Sequence, residues 1–93
     1  MNLRIEMSDG IWEVPVFIIA RHRAKYYAHE FGGDVERSLV EDTNLLFESD
    51  PFEIEDWARN NMNWTDVARY AVLAEEKPID RQEAWVSGNM AVR

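Results

Sequence analysis

The two histidines are the first side chains to test for chemistry, because imidazole is both a common metal ligand and a general base. His22 and His29 lie seven residues apart in a segment whose apolar pattern predicts a helix. Two metal ligands on one helix need a spacing of four, whereas seven residues separate the rings by roughly 10 Å. Because Tyr26 lies between them, we expect a hydrogen-bonded strip of His22, Tyr26 and His29 at the edge of the core, and no metal site.

A cluster of basic residues surrounds the first histidine and could hold an anion. Its members are Arg21, His22, Arg23 and Lys25. Such clusters are more often solvated, or they neutralise nearby acids, which residues 34–56 supply in number. We favour a solvated face or neutralisation of these acids, and we keep an anion site, or a small-ligand site around His22 and Tyr26, as alternatives.

Carboxylates are abundant, but their setting does not favour catalysis. Acids flanked by other acids on a helix are expected to be hydrated, whereas general acid–base catalysis needs an environment that shifts the pKa. The chain contains no cysteine, no glycine-rich phosphate loop and no serine in a nucleophile elbow. We therefore predict a protein that is not an enzyme and that uses no catalytic residue, metal or cofactor.

The acidity of the chain is concentrated in one segment. The formal net charge is -8, and residues 32–66 carry ten acids against two arginines, while each flank carries four acids and four bases. An acidic field repels nucleic-acid phosphates and anionic lipids, and it attracts basic protein surfaces. We expect one acidic face that steers a protein partner. The alternatives are a solvated face that maintains solubility and an imitation of nucleic acid.

Four tryptophans in 93 residues supply candidate anchors for such a partner. Tryptophan is enriched at binding hot spots because it buries a large area at little entropic cost. Trp12 and Trp57 fit core positions, whereas the other two lie in poorly patterned segments. The predicted partner-binding residues are therefore Trp64, Trp85, Glu48, Asp50, Glu53, Glu55 and Asp56.

The scaffold for these residues begins with a predicted β-hairpin over residues 3–14. Asp9-Gly10 suits the centre of a two-residue turn, which would place Met7 opposite Trp12. The alternation of side chains predicts that one face of the hairpin packs on the core and carries Leu3, Ile5, Met7, Trp12 and Val14.

Three helices are predicted to follow, over residues 16–31, 34–48 and 51–61. Pro15 suits a helix start and Gly32-Gly33 a helix end, while Asp34 and Asp50 suit N-caps. The apolar pattern of the second helix is interrupted at residues 41–44. We expect the first helix to bury a stripe made of Phe17, Ala20, Ala24, Tyr27, Ala28 and Phe31.

Residues 70–75 are predicted to add a third strand, after a short helical turn that Asn63 caps. Residues 78–93 form either a short helix and tail or an extended arm. The expected fold is therefore α+β, a single domain over residues 1–93 in which a small antiparallel sheet packs against about three helices. No apolar run is long enough to span a membrane, and the absence of cysteine fits a reducing compartment.

Three stretches carry a likeness to known proteins: Trp-Glu-Val-Pro at 12–15 with residues 19–28, residues 53–64 and, more weakly, residues 82–88. In these stretches the chain resembles a group of small accessory proteins of tailed bacteriophages, to which no activity or functional residue is assigned. The resemblance implies an accessory protein made in the cytoplasm of an infected bacterial cell.

These observations together predict a non-catalytic accessory protein that binds a host or phage protein through its acidic surface. A component of the virion or of its assembly, forming homo-oligomers, is one alternative. A small-ligand binder around His22 and Tyr26 is the other. Direct binding to nucleic acid or to a membrane is not expected.

Overall fold

The computed structural model describes residues 1–76 and 89–92, which form an antiparallel sheet and a layer of helices. This arrangement confirms the predicted α+β class. The strands, in the spatial order β3-β2-β1-β4, are β1 (Asn2–Met7), β2 (Gly10–Pro15), β3 (Val72–Glu76) and β4 (Asn89–Val92). The helices are α1 (Val16–Tyr27), α2 (Val35–Ser38), α3 (Asn44–Ser49), α4 (Phe52–Asn61) and α5 (Trp64–Val67).

The hairpin forms as predicted, but its register differs from the prediction. Ile5 lies opposite Trp12 and Met7 opposite Gly10, so Ser8 and Asp9 make the turn. Gly10 takes a φ of 139°, a value that a side chain would penalise, and Asp9 keeps a negative φ. The register changes by two residues, which leaves every side chain on its predicted face. Leu3 and Val14 are accordingly fully buried.

The sheet is completed by two strands on opposite sides of the hairpin. Val72–Glu76 pairs with β2, close to the strand predicted over residues 70–75. Asn89–Val92 pairs with β1 as an additional antiparallel strand. The rest of the segment 78–93, including Trp85, lies outside the described residues.

Helix α1 follows β2 directly and buries Ala20 and Ala24 of the predicted stripe, with Tyr27 half-buried, but Ile19 takes the buried place predicted for Phe17. Ile19, Ala20 and Ala24 are buried, whereas Phe17 is 56% exposed. Because α1 begins directly after β2, the strand fixes the rotation of the helix about its own axis. The small alanine side chains on its inner side allow the helix to pack closely against the core. A 3₁₀ turn over Ala28–Phe31 extends the helix, and Gly32 ends it in the left-handed conformation with a φ of 66°.

The predicted second helix is present as three consecutive pieces. Asp34 caps it, since its carboxylate accepts a hydrogen bond from the Arg37 amide at 3.1 Å. Between α2 and α3, Leu39–Thr43 form a π-helical turn. This turn coincides with the interruption of the apolar pattern and carries Asp42 and the fully buried Thr43.

Helices α4 and α5 close the apolar core. Asp50 accepts a hydrogen bond from the Phe52 amide, and Asn63 forms a capping box with Asp66 at the start of α5. In the described ranges no helix combines the length and apolar character needed to cross a membrane. The core cluster comprises Leu3, Ile5, Met7, Val14, Val16, Ile19, Ala20, Ala24, Leu39, Phe47, Ile54, Trp57, Ala58, Met62 and Val67.

Candidate functional site

The basic cluster on α1 is divided between two ion pairs that join this helix to the acidic segment. Arg21 pairs with Glu36 on α2. Arg23 pairs with Asp42 in the π turn, with 2.8 Å between guanidinium and carboxylate. These pairs agree with the neutralisation interpretation of the cluster. An anion site that includes all four predicted residues would require Arg23 to leave Asp42.

Arg23 is the most enclosed cation of this region. Its side chain is 13% exposed, and it also donates to the hydroxyl of Thr43 at 2.8 Å. Its guanidinium lies 4.6 Å from the ring centroid of Tyr27 and 5.8 Å from that of Trp57. The residue therefore joins α1, the π turn and α4 by charge, hydrogen bonding and cation–π contact.

The predicted strip of His22, Tyr26 and His29 is not formed. The Trp57 indole N–H donates to Nδ1 of His22 at 2.9 Å, while Nδ1 of His29 lies 3.1 Å from the backbone oxygen of Tyr26. The Tyr26 ring packs against Trp57, with the centroids 5.5 Å apart. The prediction was wrong because Trp57, from α4, reaches His22 across the helix interface.

Removing the His22 acceptor is expected to destabilise the protein. In the variant His22→Leu the buried indole N–H of Trp57 loses its acceptor, which should lower the free energy of unfolding by about 1–2 kcal/mol in urea denaturation. His29 is exposed, so His29→Leu should change it by less than about 0.5 kcal/mol. Equal losses in the two variants would contradict the assigned hydrogen bond.

Ion pairing and helix capping divide the ten acids of residues 32–66 into three groups. Asp34 and Asp66 accept backbone hydrogen bonds at the starts of α2 and α5. Arginines pair with Glu36, Glu41, Asp42 and Glu55. Four others lie where α3 ends and α4 begins, and no ion pair to them is found in the described part of the chain. Apart from the two capping acids, the charge of the segment without an arginine partner in the described residues therefore lies at Glu48, Asp50, Glu53 and Asp56.

An exposed aromatic side chain lies among these four carboxylates. Phe52 is 79% exposed, the highest value among the large apolar side chains described. It borders a shallow depression of about 480 Å³ together with Glu53, Asp56 and the ion-paired Glu55 and Arg59. We refer to Glu48, Asp50, Phe52, Glu53 and Asp56 as the acidic corner.

Sequence reasoning found the carboxylates of this corner but not its aromatic residue. Phe52 follows Pro51 in the first turn of α4, on the side opposite to the buried Ile54 and Trp57. The spacing from Ile54 and Trp57 was sufficient to predict this exposure, because residues two and five positions apart face different sides of a helix.

The side chain of the predicted anchor Trp64 is less exposed than that of Phe52. Its ring packs edge-on against Trp12, with the centroids 5.1 Å apart and the planes at 74°. Trp12 in turn donates its indole N–H to Asp9 at 2.8 Å. Trp64 is half-buried beside the core, and the second predicted anchor, Trp85, lies outside the described residues.

The described ranges contain no group of three or more His, Asp or Glu side chains that could hold a metal ion. Comparison with protein-family models, with curated proteins and with solved structures finds no match to this chain.

Proposed function

We propose that this chain is a non-catalytic binding module that engages a basic protein partner through the acidic corner. The observation that carries the proposal is the position of Phe52, which is 79% exposed among four carboxylates without an arginine partner in the described residues. The proposal keeps the predicted acidic residues except Glu55, which pairs with Arg59. It replaces Trp64 by Phe52 as the principal anchor.

An aromatic side chain surrounded by charges is suited to protein recognition. Binding hot spots commonly combine an apolar anchor, which is buried in the complex, with a polar rim that excludes water around it. Phe52 supplies the anchor, and the carboxylates supply a rim that attracts lysine and arginine. Leu45, 58% exposed on α3 one turn before Glu48, extends the apolar area.

The same corner is poorly suited to other classes of partner. Nucleic acid and anionic lipid would meet four negative charges at this surface, with Arg59 already engaged by Glu55. We therefore propose a protein partner, and the resemblance of the sequence to phage accessory proteins supports an encounter in the cytoplasm of an infected bacterium. A role in the virion or its assembly stays a prediction from the sequence.

Neutralising the corner should weaken partner capture and reduce its dependence on salt. The variant Glu48→Gln, Glu53→Gln, Asp56→Asn removes three charges and leaves Asp50, which accepts a hydrogen bond from the Phe52 amide, unchanged. Because charged rims act mainly on the association rate, we expect that rate to fall by roughly 10-fold at low ionic strength. The measurement is surface-plasmon association of the partner isolated from infected cells, at several salt concentrations.

The control removes two carboxylates of the same segment that already have arginine partners. Glu36→Gln with Glu41→Gln changes the net charge of the same segment without altering the corner. The association rate should then change by no more than about 2-fold. An equal effect of both variants would show that total charge, and not the acidic corner, governs the encounter.

A further inference from the structure

A second concave surface lies between α1 and residues 62–70. It has a volume of about 420 Å³ and is open to solvent on one side. Phe17, Arg21, His22 and Lys25 line it from α1, while Asp66 and Tyr70 line it from the other side. This groove contains Arg21, His22 and Lys25 of the basic cluster, but not Arg23, which pairs with Asp42. None of the groove residues belongs to the acidic corner.

Two hydrogen-bond donors in this groove are available to a ligand. The Trp57 indole can only donate, so Nδ1 of His22 is the acceptor and the neutral imidazole carries its proton on Nε2. In the described part of the chain, Nε2 makes no hydrogen bond and the exposed Lys25 ammonium makes no ion pair. A ring N–H held in place by Trp57 and a flexible ammonium therefore line the same groove.

The negative groups near the groove are already engaged. Asp66 accepts a hydrogen bond from the Asn63 amide at 2.7 Å, as the capping box of α5 requires. Glu36 pairs with Arg21, whose guanidinium also lies 5.6 Å from the ring centroid of Phe17. The Lys25 charge is therefore not cancelled by a direct ion pair, in contrast to Arg23.

The groove also offers flat apolar surfaces. Phe17 is 56% exposed and Tyr70 is 43% exposed, one on each side. Aromatic side chains bind planar rings by stacking and edge-to-face contact, and they do so best beside a polar group that fixes the ligand's orientation. The two walls together match a ligand with an apolar ring at one end and a negative charge at the other.

We propose that this groove binds a small planar ring that carries one carboxylate or phosphate group. The anionic group accepts hydrogen bonds from Nε2 of His22 and from Lys25, and the ring lies between Phe17 and Tyr70. The site is independent of the protein-binding function proposed above, because it shares no residue with the acidic corner.

The proposal can be tested by titrating ¹⁵N-labelled protein with benzoate and with phenyl phosphate, followed by NMR. We expect saturable shifts of the Lys25 and Tyr70 amides and of the Trp57 indole N–H, which reports on His22 through their hydrogen bond. The tighter of the two probes identifies the anionic group. Acetate and benzyl alcohol, which supply the charge or the ring alone, should bind at least roughly 10-fold more weakly.

Lys25→Gln provides the decisive variant, because this exposed side chain can be changed without disturbing the core. It should weaken binding of the preferred probe by roughly 10-fold, while Arg37→Gln, at a cation distant in sequence and paired with Glu41, should leave it unchanged. The absence of saturable shifts with both probes, equal binding of benzyl alcohol, or equal effects of the two variants would overturn the proposal.

Discussion

Replacing Arg23 by methionine is expected to lower the free energy of unfolding by about 3 kcal/mol. The substitution keeps much of the side-chain volume but removes the ion pair with Asp42, the hydrogen bond to Thr43 and the cation–π contact with Tyr27. Thr43 is fully buried, so its hydroxyl would lose this donor without access to water. Urea denaturation followed by Trp57 fluorescence measures the loss.

Arg37→Met is the matched control for this prediction. Arg37 also forms an ion pair, with Glu41 one turn away, but both side chains are largely exposed to water. Exposed pairs of this spacing contribute little, so the loss should be below about 0.5 kcal/mol. If Arg23→Met were no more destabilising than Arg37→Met, Arg23 would not be the residue that joins α1 to the π turn and α4.

Phe52→Ala is expected to weaken partner binding by about 2 kcal/mol, which is roughly a 30-fold rise in Kd. The side chain is exposed in the free protein, so its removal should leave the melting temperature nearly unchanged. The loss arises because an apolar anchor that becomes buried in the complex contributes most of its energy there. Isothermal titration with the isolated partner gives the Kd, and thermal denaturation checks the fold.

Phe17→Ala is the corresponding control, since Phe17 is another exposed phenylalanine, located in the groove on α1. We expect its effect on Kd to stay within about 2-fold. A Phe17→Ala variant that bound as weakly as Phe52→Ala would show that the loss is not specific to the acidic corner. Such a result would contradict the assignment of Phe52 as the principal anchor.

Much of the fold could be predicted from local sequence patterns. Hairpin alternation indicated the buried face of β1 and β2, and Asp34, Asp50 and Asn63 indicated helix starts that the structure confirms. These features depend on neighbouring residues and on backbone geometry, which a single sequence contains. The interruption at residues 41–44 was visible too, but its form as a π turn was not.

The errors arose where contacts between distant elements decide the outcome. The register of the hairpin depends on which turn residue has a positive φ, and of Asp9 and Gly10 it is Gly10 that has one. In addition, the indole N–H of Trp12 donates a hydrogen bond to the carboxylate of Asp9. The partner of His22 is Trp57, 35 residues away. The spacing of residues along α1 indicated Tyr26 as that partner. A pattern within one helix contains no information about a side chain that approaches from α4.

In the candidate site, too, the sequence indicated the local charge pattern but not the contacts between distant elements. Charge counting shows that residues 32–66 are acidic, but it cannot separate acids that have arginine partners from those that do not. Arg21 and Arg23 reach Glu36 and Asp42 only after α1 packs against the second helical segment. That packing leaves four carboxylates near Phe52 without an arginine partner in the described residues, and so the tertiary structure, not composition, defines the acidic corner.

Photo-cross-linking from position 52 tests the central claim most directly. Benzoylphenylalanine at position 52 reproduces the exposed ring, and the same probe in place of Val72, 64% exposed on β3, serves as the control. In infected cells we expect position 52 to capture a protein through a peptide rich in lysine and arginine, and position 72 not to capture it. Capture through an acidic or uncharged peptide, or capture of the same protein from position 72 alone, would contradict the account.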